Sequence, residues 1–125
     1  MKAVIMAGGE GTRLRPLTCN LPKPMVPVVN KPMMEHILNL LKRHNLREIA
    51  STLCYMPEMI QEYFNDGSAY NVSMHYYIEE KPLGIAGSVK NAQQFLNEPF
   101  VVVSGDCLTD INLSAAIQFH REKGA

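Results

Sequence analysis

The sequence has no tryptophan, no Cys-x-x-Cys pair and no long uninterrupted hydrophobic run. Its three cysteines lie far apart, which excludes a dense disulfide framework and favours reduced thiols in a cytoplasmic protein. No apolar run approaches the roughly 20 residues that a membrane-spanning helix needs. The apolar N-terminus, residues 1–7, is also too short for a signal peptide, and we interpret it as a buried strand.

An excess of charge of either sign is also absent, because twelve Lys and Arg residues balance twelve Asp and Glu residues. Proteins that coat nucleic acid or bind membrane surfaces usually carry a strong positive field. We therefore expect neither nucleic acid nor a membrane as partner, and any bound phosphate must be held by a few positioned cations. The length of 125 residues and the apolar fraction of 46% fit one modest globular domain.

Apolar runs typical of strands alternate along the chain with segments of helical spacing. We predict strands over 2–7, 48–55, 72–78 and 100–104, the first and last buried on both faces. Helices are predicted over 33–44, 58–65, 86–97 and 113–123. This alternation is typical of an α/β fold, a three-layer Rossmann-like sandwich with a mainly parallel sheet. Since the chain ends after a helix where a further strand is expected, we predict a fold that is incomplete at its C-terminus.

A proline-rich segment, 8–32, separates the first strand from the first helix, and we predict that it forms a long, ordered, functional loop. It begins with Gly8, Gly9 and Gly11, which are small enough to let backbone N–H groups approach a phosphate. A dinucleotide-binding fingerprint is excluded because Leu14 stands where its third glycine belongs, and a P-loop is excluded because the chain has no Gly-Lys pair. The cluster is therefore either a phosphate loop of another type or a flexible turn.

Two cations in this segment are candidates for phosphate contact. Arg13 follows the glycines, and its planar guanidinium suits bidentate binding of phosphate oxygens. Lys23 lies between Pro22 and Pro24, which stiffen its backbone and favour a functional role over a solvated side chain. For the neighbouring Arg15 we expect a solvated or packing role.

Residues 7–18 (AGGEGTRLRPLT), followed by LPKPM at 21–25, resemble the signature of the sugar-1-phosphate nucleotidylyltransferase family. Three further segments fit the same family: NKPM at 30–33, PLGIAGS at 82–88 and VVVSGD at 101–106. The resemblance covers essentially the whole chain, and the 82–88 segment most resembles that of mannose-1-phosphate guanylyltransferases. It implies a nucleotide-diphospho-sugar transferase fold, of which residues 1–125 form the nucleotide-binding N-terminal portion.

The reaction that this resemblance implies is attack of a sugar-1-phosphate oxygen on the α-phosphorus of a nucleoside triphosphate, with release of pyrophosphate. Such a transfer depends on alignment and charge neutralisation more than on covalent catalysis. By resemblance, Arg13 binds the departing β- and γ-phosphates, and Lys23 stabilises the α-phosphate in the transition state. The residues expected to bind the nucleotide in this loop are Gly8, Gly9, Gly11, Thr12 and Arg13.

A carboxylate at the end of the last predicted strand is a candidate metal ligand. Asp106 occupies the place at which open α/β sheets bind their ligands, and a carboxylate there suits Mg²⁺. The alternative is a helix-capping or turn aspartate, which is the role we expect for Asp110. The family has a second metal-binding aspartate further along the chain, with no counterpart before Ala125. We therefore expect this chain to carry the nucleotide half of the site and not to complete the reaction alone.

For the base pocket the resemblance implies Glu80 and Gly84. A carboxylate accepts hydrogen bonds from both N1–H and N2–H₂ of guanine, whereas uracil and thymine offer only N3–H, so Glu80 favours GTP. The alternative is a solvated Glu80 within the charged Glu79-Glu80-Lys81 cluster. Ile85 stands in place of the family's usual threonine, which weakens any assignment of the base or the sugar.

The leading hypothesis is transfer from GTP to mannose-1-phosphate, giving GDP-mannose. The alternatives are a glucose-1-phosphate thymidylyl- or uridylyltransferase, a catalytically inactive relative that senses sugar nucleotides, and a piece that serves only as a folding unit. The presence of Arg13, Lys23 and Asp106 argues against an inactive relative. The sugar stays open, as does whether the full-length protein forms a homo-oligomer. The four histidines are isolated along the chain and are expected to be structural.

Overall fold

The computed structural model describes all residues from 1 to 125 and contains a four-stranded parallel sheet between two layers of helices. In chain order the strands are β1 (Lys2–Met6), β2 (Pro27–Val28), β3 (Lys31–Pro32), β4 (Glu48–Leu53), β5 (Ser73–Ile78) and β6 (Phe100–Ser104). The helices, none of them long and apolar enough to cross a membrane, are α1 (Met33–Arg43), α2 (Pro57–Phe64), α3 (Gly84–Asn91) and α4 (Leu113–Lys123). The main sheet has the order β5-β4-β1-β6, and β2 and β3 form a separate antiparallel hairpin. The predicted α/β fold with a mainly parallel sheet is confirmed.

The central strand β1 is buried on both faces, as its apolar sequence predicts. Ala3, Val4 and Ile5 are each 0% exposed, and successive side chains of a strand point to opposite faces of the sheet. Ala3 and Ile5 belong to the larger core beneath α1 and α2, whereas Val4 packs with Ala92 and Phe95, which follow α3, on the other face. The sheet is therefore the middle layer of three.

Helix α1 buries a stripe of apolar side chains against the sheet, and Pro32 immediately precedes it. The buried side chains recur at helical spacing: Met34, Ile37, Leu38, Leu40 and Leu41. Each contributes about 1.5–3 kcal/mol by leaving water. Helix α1 also holds the β2–β3 hairpin, since His36 Nε2 lies 2.7 Å from the carbonyl oxygen of Val28. The helix thereby fixes the segment that directly follows the Pro-Lys-Pro sequence.

The strands of the main sheet all end at one edge because they run parallel. In the register of the sheet, Met6 of β1 lies opposite Thr52 of β4 and Ser104 of β6. Beyond β6, Gly105 N donates to Met6 O at 2.7 Å, and a Cβ on Gly105 would lie only 2.9 Å from that oxygen. The close approach brings the glycine segment after β1 next to Asp106 after β6.

The predicted strand 48–55 ends at Leu53, the predicted loop 8–32 contains the β2–β3 hairpin, and two further elements differ more clearly from the prediction. The apolar sequence of β6 predicts burial on both faces, but Phe100 and Val102 are 37% and 38% exposed. Val102 lies opposite Val4, so both face the α3 side of the sheet, where α3 packs on β1 and β4 and leaves β6 open. The third helix ends at Asn91 and not at residue 97, because the chain turns there through short-range bonds such as Phe95 N to Ala92 O.

Candidate active site

Two adjoining cavities open at the edge where the parallel strands end, the place at which open α/β sheets bind ligands. The larger, about 680 Å³, is lined by several predicted site residues, namely Gly8, Gly9, Lys23, Glu80, Gly84 and Asp106. The smaller, about 470 Å³, is lined by Gly9, Gly11, Thr12, Arg13, Lys23 and Asp106. Because the two cavities share Gly9, Lys23 and Asp106, we treat them as one strand-end cleft. Every site residue predicted from the sequence lines this cleft.

Gly11 and Gly9 have different surroundings in the loop after β1. Gly11 has a φ of +65°, and a Cβ there would lie 2.8 Å from Cγ2 of Thr18 and 3.0 Å from Cβ of Lys23. A Cβ on Gly9 would meet nothing within 4 Å, so its backbone borders open space in the cleft. Gly11 is therefore required by the conformation and packing of the loop, whereas Gly9 leaves the backbone accessible to a ligand.

Replacing Gly11 by alanine is expected to lower the free energy of unfolding by about 1–3 kcal/mol, because a side chain is strained in the left-handed region and its Cβ would collide with Thr18. Gly9→Ala adds the same methyl group in open space and is the matched control, with an expected change below about 1 kcal/mol. Urea denaturation of the purified chain measures both values. Equal stability of the two variants would contradict the role assigned to Gly11.

Lys23 and Asp106 form an ion pair in the strand-end cleft, with Nζ 2.5 Å from Oδ2. A short 3₁₀ turn fixes the backbone of Lys23, whose carbonyl accepts from Val26 N at 3.1 Å. Ser104 Oγ donates to the other carboxylate oxygen of Asp106. The hydrogen bond from Lys23, followed by that from Ser104, holds the pKa of Asp106 below its usual value. The carboxylate is therefore ionised at neutral pH.

Arg13 is exposed at the rim of the cleft, in the 3₁₀ turn that follows the glycines. It forms no ion pair, so its guanidinium is free to bind an anion. The nearby Arg15 lines neither cavity and lies 3.8 Å from Oε2 of Glu10 on the surface. This contact fits the solvated role predicted for Arg15.

Glu79 is a cleft residue that the sequence analysis did not select. It directly follows β5, its N–H donates to Leu53 O at 2.7 Å, and it is only 6% exposed. Its Oε1 is buried without a hydrogen-bond partner, a state that costs free energy unless a ligand supplies a donor. Glu80 lines the same cavity but is exposed. The signal that would have indicated Glu79 is the one used for Asp106, a polar residue directly after a strand.

The cleft fits a magnesium ion that one carboxylate would share with the phosphate oxygens of a ligand better than it fits a preformed metal centre. Asp106 offers an ionised carboxylate, the hard oxygen ligand that Mg²⁺ prefers. No group of three His, Cys, Asp or Glu side chains in residues 1–125 is arranged to hold a metal ion. Since Mg²⁺ commonly binds through one or two carboxylates together with phosphate oxygens and water, a single carboxylate suffices for that mode.

A separate groove of about 760 Å³ lies beside α1 and is larger than either cavity of the strand-end cleft. Its lining is basic, with His36, Lys42, Arg43 and Arg47, and it contains none of the site residues predicted from the sequence. Most of its lining belongs to α1, and no residue of the segment 8–32 contributes to it. We therefore place the candidate active site in the strand-end cleft.

The sequence profile of the nucleotidyl transferase family matches residues 2–125, and the chain belongs to this family. The resemblance to sugar-1-phosphate nucleotidylyltransferases is thereby confirmed. Over its whole length the chain is 42% identical to a UTP–glucose-1-phosphate uridylyltransferase of a Synechocystis species, of which it covers 35%. Over 98% of its length it is 37% identical to the mannose-1-phosphate guanylyltransferase of Mycobacterium tuberculosis, of which it covers 34%.

A solved structure has the same fold as the chain. HddC from Yersinia pseudotuberculosis, complexed with GMP-PN, matches with a TM-score of 0.84 at 30% identity. The match covers 95% of the chain and 53% of HddC. The chain therefore spans about a third of each of the two curated relatives and about half of HddC.

Proposed function

We propose that the chain supplies the nucleotide-binding half of a sugar-1-phosphate nucleotidyltransferase site. The observation that carries this proposal is the convergence of three features in one cleft: the unpaired guanidinium of Arg13, the Lys23–Asp106 pair and the open backbone at Gly9. Together they provide fixed positive charge, a hard carboxylate and backbone donors, which are the groups that phosphoryl chemistry requires.

In this proposal, the glycine-loop N–H groups and Arg13 bind the triphosphate, with Arg13 at the β- and γ-phosphates. A sugar-1-phosphate oxygen forms a bond to the α-phosphorus while the bond from that phosphorus to the β-phosphate oxygen breaks, and pyrophosphate leaves with the electron pair. Lys23 exchanges the Asp106 carboxylate for the α-phosphate and neutralises the charge that accumulates there. Asp106 is then available to hold Mg²⁺, which supplies further charge neutralisation when bound.

The thiols of the chain fit direct transfer without a covalent intermediate on cysteine. All three cysteines are free, and only Cys54 lines the strand-end cleft. Burial, together with the charges of Glu79 and Glu10, raises the pKa of the Cys54 thiol, so it is protonated at neutral pH and not nucleophilic. Free thiols also support the cytoplasmic location that we propose.

For the nucleotide we propose GTP, with Glu79 joining Glu80 and Gly84 as a candidate for base contact. The buried Glu79 carboxylate lines the cleft with an unpartnered oxygen and can accept from both N1–H and N2–H₂ of guanine. UTP is the second candidate, since the Synechocystis relative is named a uridylyltransferase. Uracil offers one donor, N3–H, flanked by two carbonyl oxygens that a carboxylate repels.

Replacing Glu79 by glutamine is expected to weaken GTP binding about tenfold, the loss of roughly one hydrogen bond to a charged group. The same change should strengthen UTP binding, because an amide can accept from N3–H and donate to a carbonyl of uracil. Glu80→Gln makes the same chemical change on the exposed neighbour, so comparing the two variants tells which of the two carboxylates contacts the base. Isothermal titration calorimetry of the chain with GTP, UTP and dTTP in the presence of Mg²⁺ measures all the affinities.

Two outcomes of this titration would contradict the base assignment. Equal affinity of the wild type for GTP, UTP and dTTP would remove the preference for guanine. A loss of GTP binding in Glu80→Gln but not in Glu79→Gln would assign the base contact to Glu80 and remove Glu79 as a candidate.

For the sugar we propose mannose-1-phosphate, because the similar protein from Mycobacterium tuberculosis is named a mannose-1-phosphate guanylyltransferase. The test is pyrophosphate release by the full-length protein, meaning a form that also carries the rest of the domain found in the relatives. Faster release with glucose-1-phosphate than with mannose-1-phosphate would favour a glucose-1-phosphate uridylyl- or thymidylyltransferase. No release from any nucleoside triphosphate with either sugar phosphate would favour an inactive, sugar-nucleotide-sensing relative.

A further inference from the structure

Thr18 is a buried polar residue to which no role in the reaction has yet been given. It is 0% exposed, and it is the one buried residue between Gly8 and Leu21, a stretch that is otherwise partly or fully exposed. A polar side chain is rarely buried in a surface loop unless its hydrogen-bonding groups are used. The contacts of Thr18 therefore indicate what the residue does.

Two hydrogen bonds connect Thr18 to the glycine loop and to the sheet. Its Oγ1 donates to the carbonyl oxygen of Gly11 at 2.6 Å. Its own carbonyl oxygen accepts from Tyr55 Oη at 3.2 Å, and Tyr55 lies just beyond the end of β4. Thr18 is thus a bridge between the glycine loop and the edge of the sheet where the cleft lies.

The same residue sets the packing around Gly11. A Cβ on Gly11 would lie 2.8 Å from Cγ2 of Thr18 and 3.0 Å from Cβ of Lys23. Both side chains therefore pack closely against this glycine and leave no room for a side chain there. The carbonyl of Gly11 also accepts from Leu14 N at 2.9 Å. Since C=O and N–H point in opposite directions across a trans peptide, holding the Gly11 carbonyl towards Thr18 turns the N–H of Thr12 the other way.

We propose that Thr18 is a positioning residue for the phosphate-binding loop. Its hydroxyl fixes the Gly11–Thr12 peptide so that the N–H of Thr12 faces the cavity lined by Arg13 and Lys23. A nucleotide then meets a donor that is already oriented, and the cost of ordering the loop on binding is avoided. This inference rests on the proposed nucleotide binding, and it adds a residue that does not itself touch the ligand.

Thr18→Val keeps the shape of the side chain and removes only the hydroxyl. We expect it to weaken binding of GTP or UTP about tenfold in the presence of Mg²⁺, the effect of one hydrogen bond that holds the loop. Thr18→Ser restores the hydroxyl without the methyl group, and its Kd is expected to lie within about threefold of the wild-type value. Calorimetry gives the Kd values, and the amide shift of Thr12 in nuclear magnetic resonance spectra is sensitive to a change in the surroundings of this peptide.

If Thr18 had only a structural role, its variants would differ in thermal stability, but Thr18→Val would not bind the nucleotide more weakly than Thr18→Ser. If Thr18→Val does not fold, Thr18→Ala takes its place, because it also lacks the hydroxyl and leaves the space beside Gly11 free. Wild-type affinity in the folded hydroxyl-free variant, or an equal loss in Thr18→Ser, would overturn the inference and leave the proposed function standing. Failure of the wild-type chain to bind any nucleoside triphosphate would instead contradict the proposed function, and with it this inference.

Discussion

Replacing Lys23 by methionine is expected to lower the rate of nucleotidyl transfer by the full-length protein on the order of 10²-fold or more. Methionine keeps the length and the apolar stem of lysine but removes the charge that would stabilise the α-phosphate in the transition state. Lys23 is the only lysine or arginine that lines both cavities of the cleft, so we do not expect Arg13 or Lys81, which line one cavity each, to replace it. Pyrophosphate release at saturating substrate concentrations measures the effect.

Arg15→Met is the matched control for Lys23→Met. It also removes one positive charge from the segment after β1, but Arg15 lines neither cavity and its contact with Glu10 is exposed. Its rate is expected to stay within about threefold of the wild-type rate, since exposed ion pairs contribute little. A similar loss in both variants would mean that general positive charge, and not the fixed position of Lys23, supports the reaction. A full rate in Lys23→Met would contradict the role assigned to this residue.

Replacing Asp106 by asparagine is expected to remove most of the gain in nucleotide affinity that Mg²⁺ provides. The hydrogen bonds from Lys23 and Ser104 lower the pKa of Asp106, so the wild-type carboxylate is charged and able to coordinate a hard cation at neutral pH. Asparagine has nearly the same shape but is neutral. Calorimetric titrations of the chain with GTP in MgCl₂ and in EDTA measure the ratio of the two Kd values.

Asp110→Asn makes the same chemical change four positions further on, at an exposed residue that lines neither cavity. It is expected to keep the wild-type ratio of Kd values. Asp106→Asn also leaves Lys23 without its partner, but the pair is partly exposed, so we expect thermal stability to change little. If Asp106→Asn keeps the wild-type gain from Mg²⁺, Asp106 is not the metal ligand.

The order of elements along the chain could be predicted, but their arrangement in the sheet could not. The runs at β1 and β6 have equally apolar sequences, and both predict a strand buried on two faces. Only the strand order distinguishes them, because β1 lies between β4 and β6 whereas Phe100 and Val102 of β6 remain partly exposed. Strand order depends on contacts between residues far apart in the chain, which local patterns do not contain.

The glycine-loop part of the proposed site was easier to identify from the sequence than the part proposed for the base. Glycines, prolines and a lysine at fixed spacing restrict the backbone locally, so the loop around Gly11 and Lys23 could be recognised from the sequence. In the Glu79-Glu80-Lys81 segment all three residues are charged, and composition does not indicate which of them turns inward. The bond from Glu79 N to Leu53 O decides it, and that bond requires β4 and β5 to be paired. The sequence did not indicate a role for Thr18 for the same reason, since its hydrogen-bond partners Gly11 and Tyr55 come from different parts of the chain.

The central claim is that the strand-end cleft binds a nucleoside triphosphate, and titration of the ¹⁵N-labelled chain with GTP and Mg²⁺, followed by nuclear magnetic resonance, tests it most directly. Amide shifts are expected to concentrate at Gly8, Gly9, Gly11, Thr12 and Gly84, which line the cleft. UTP and dTTP should shift the same loop amides, because the phosphates are common to all three. Shifts confined to the basic groove beside α1, at His36, Lys42 and Arg43, or no shifts with any of the three nucleotides, would contradict the account.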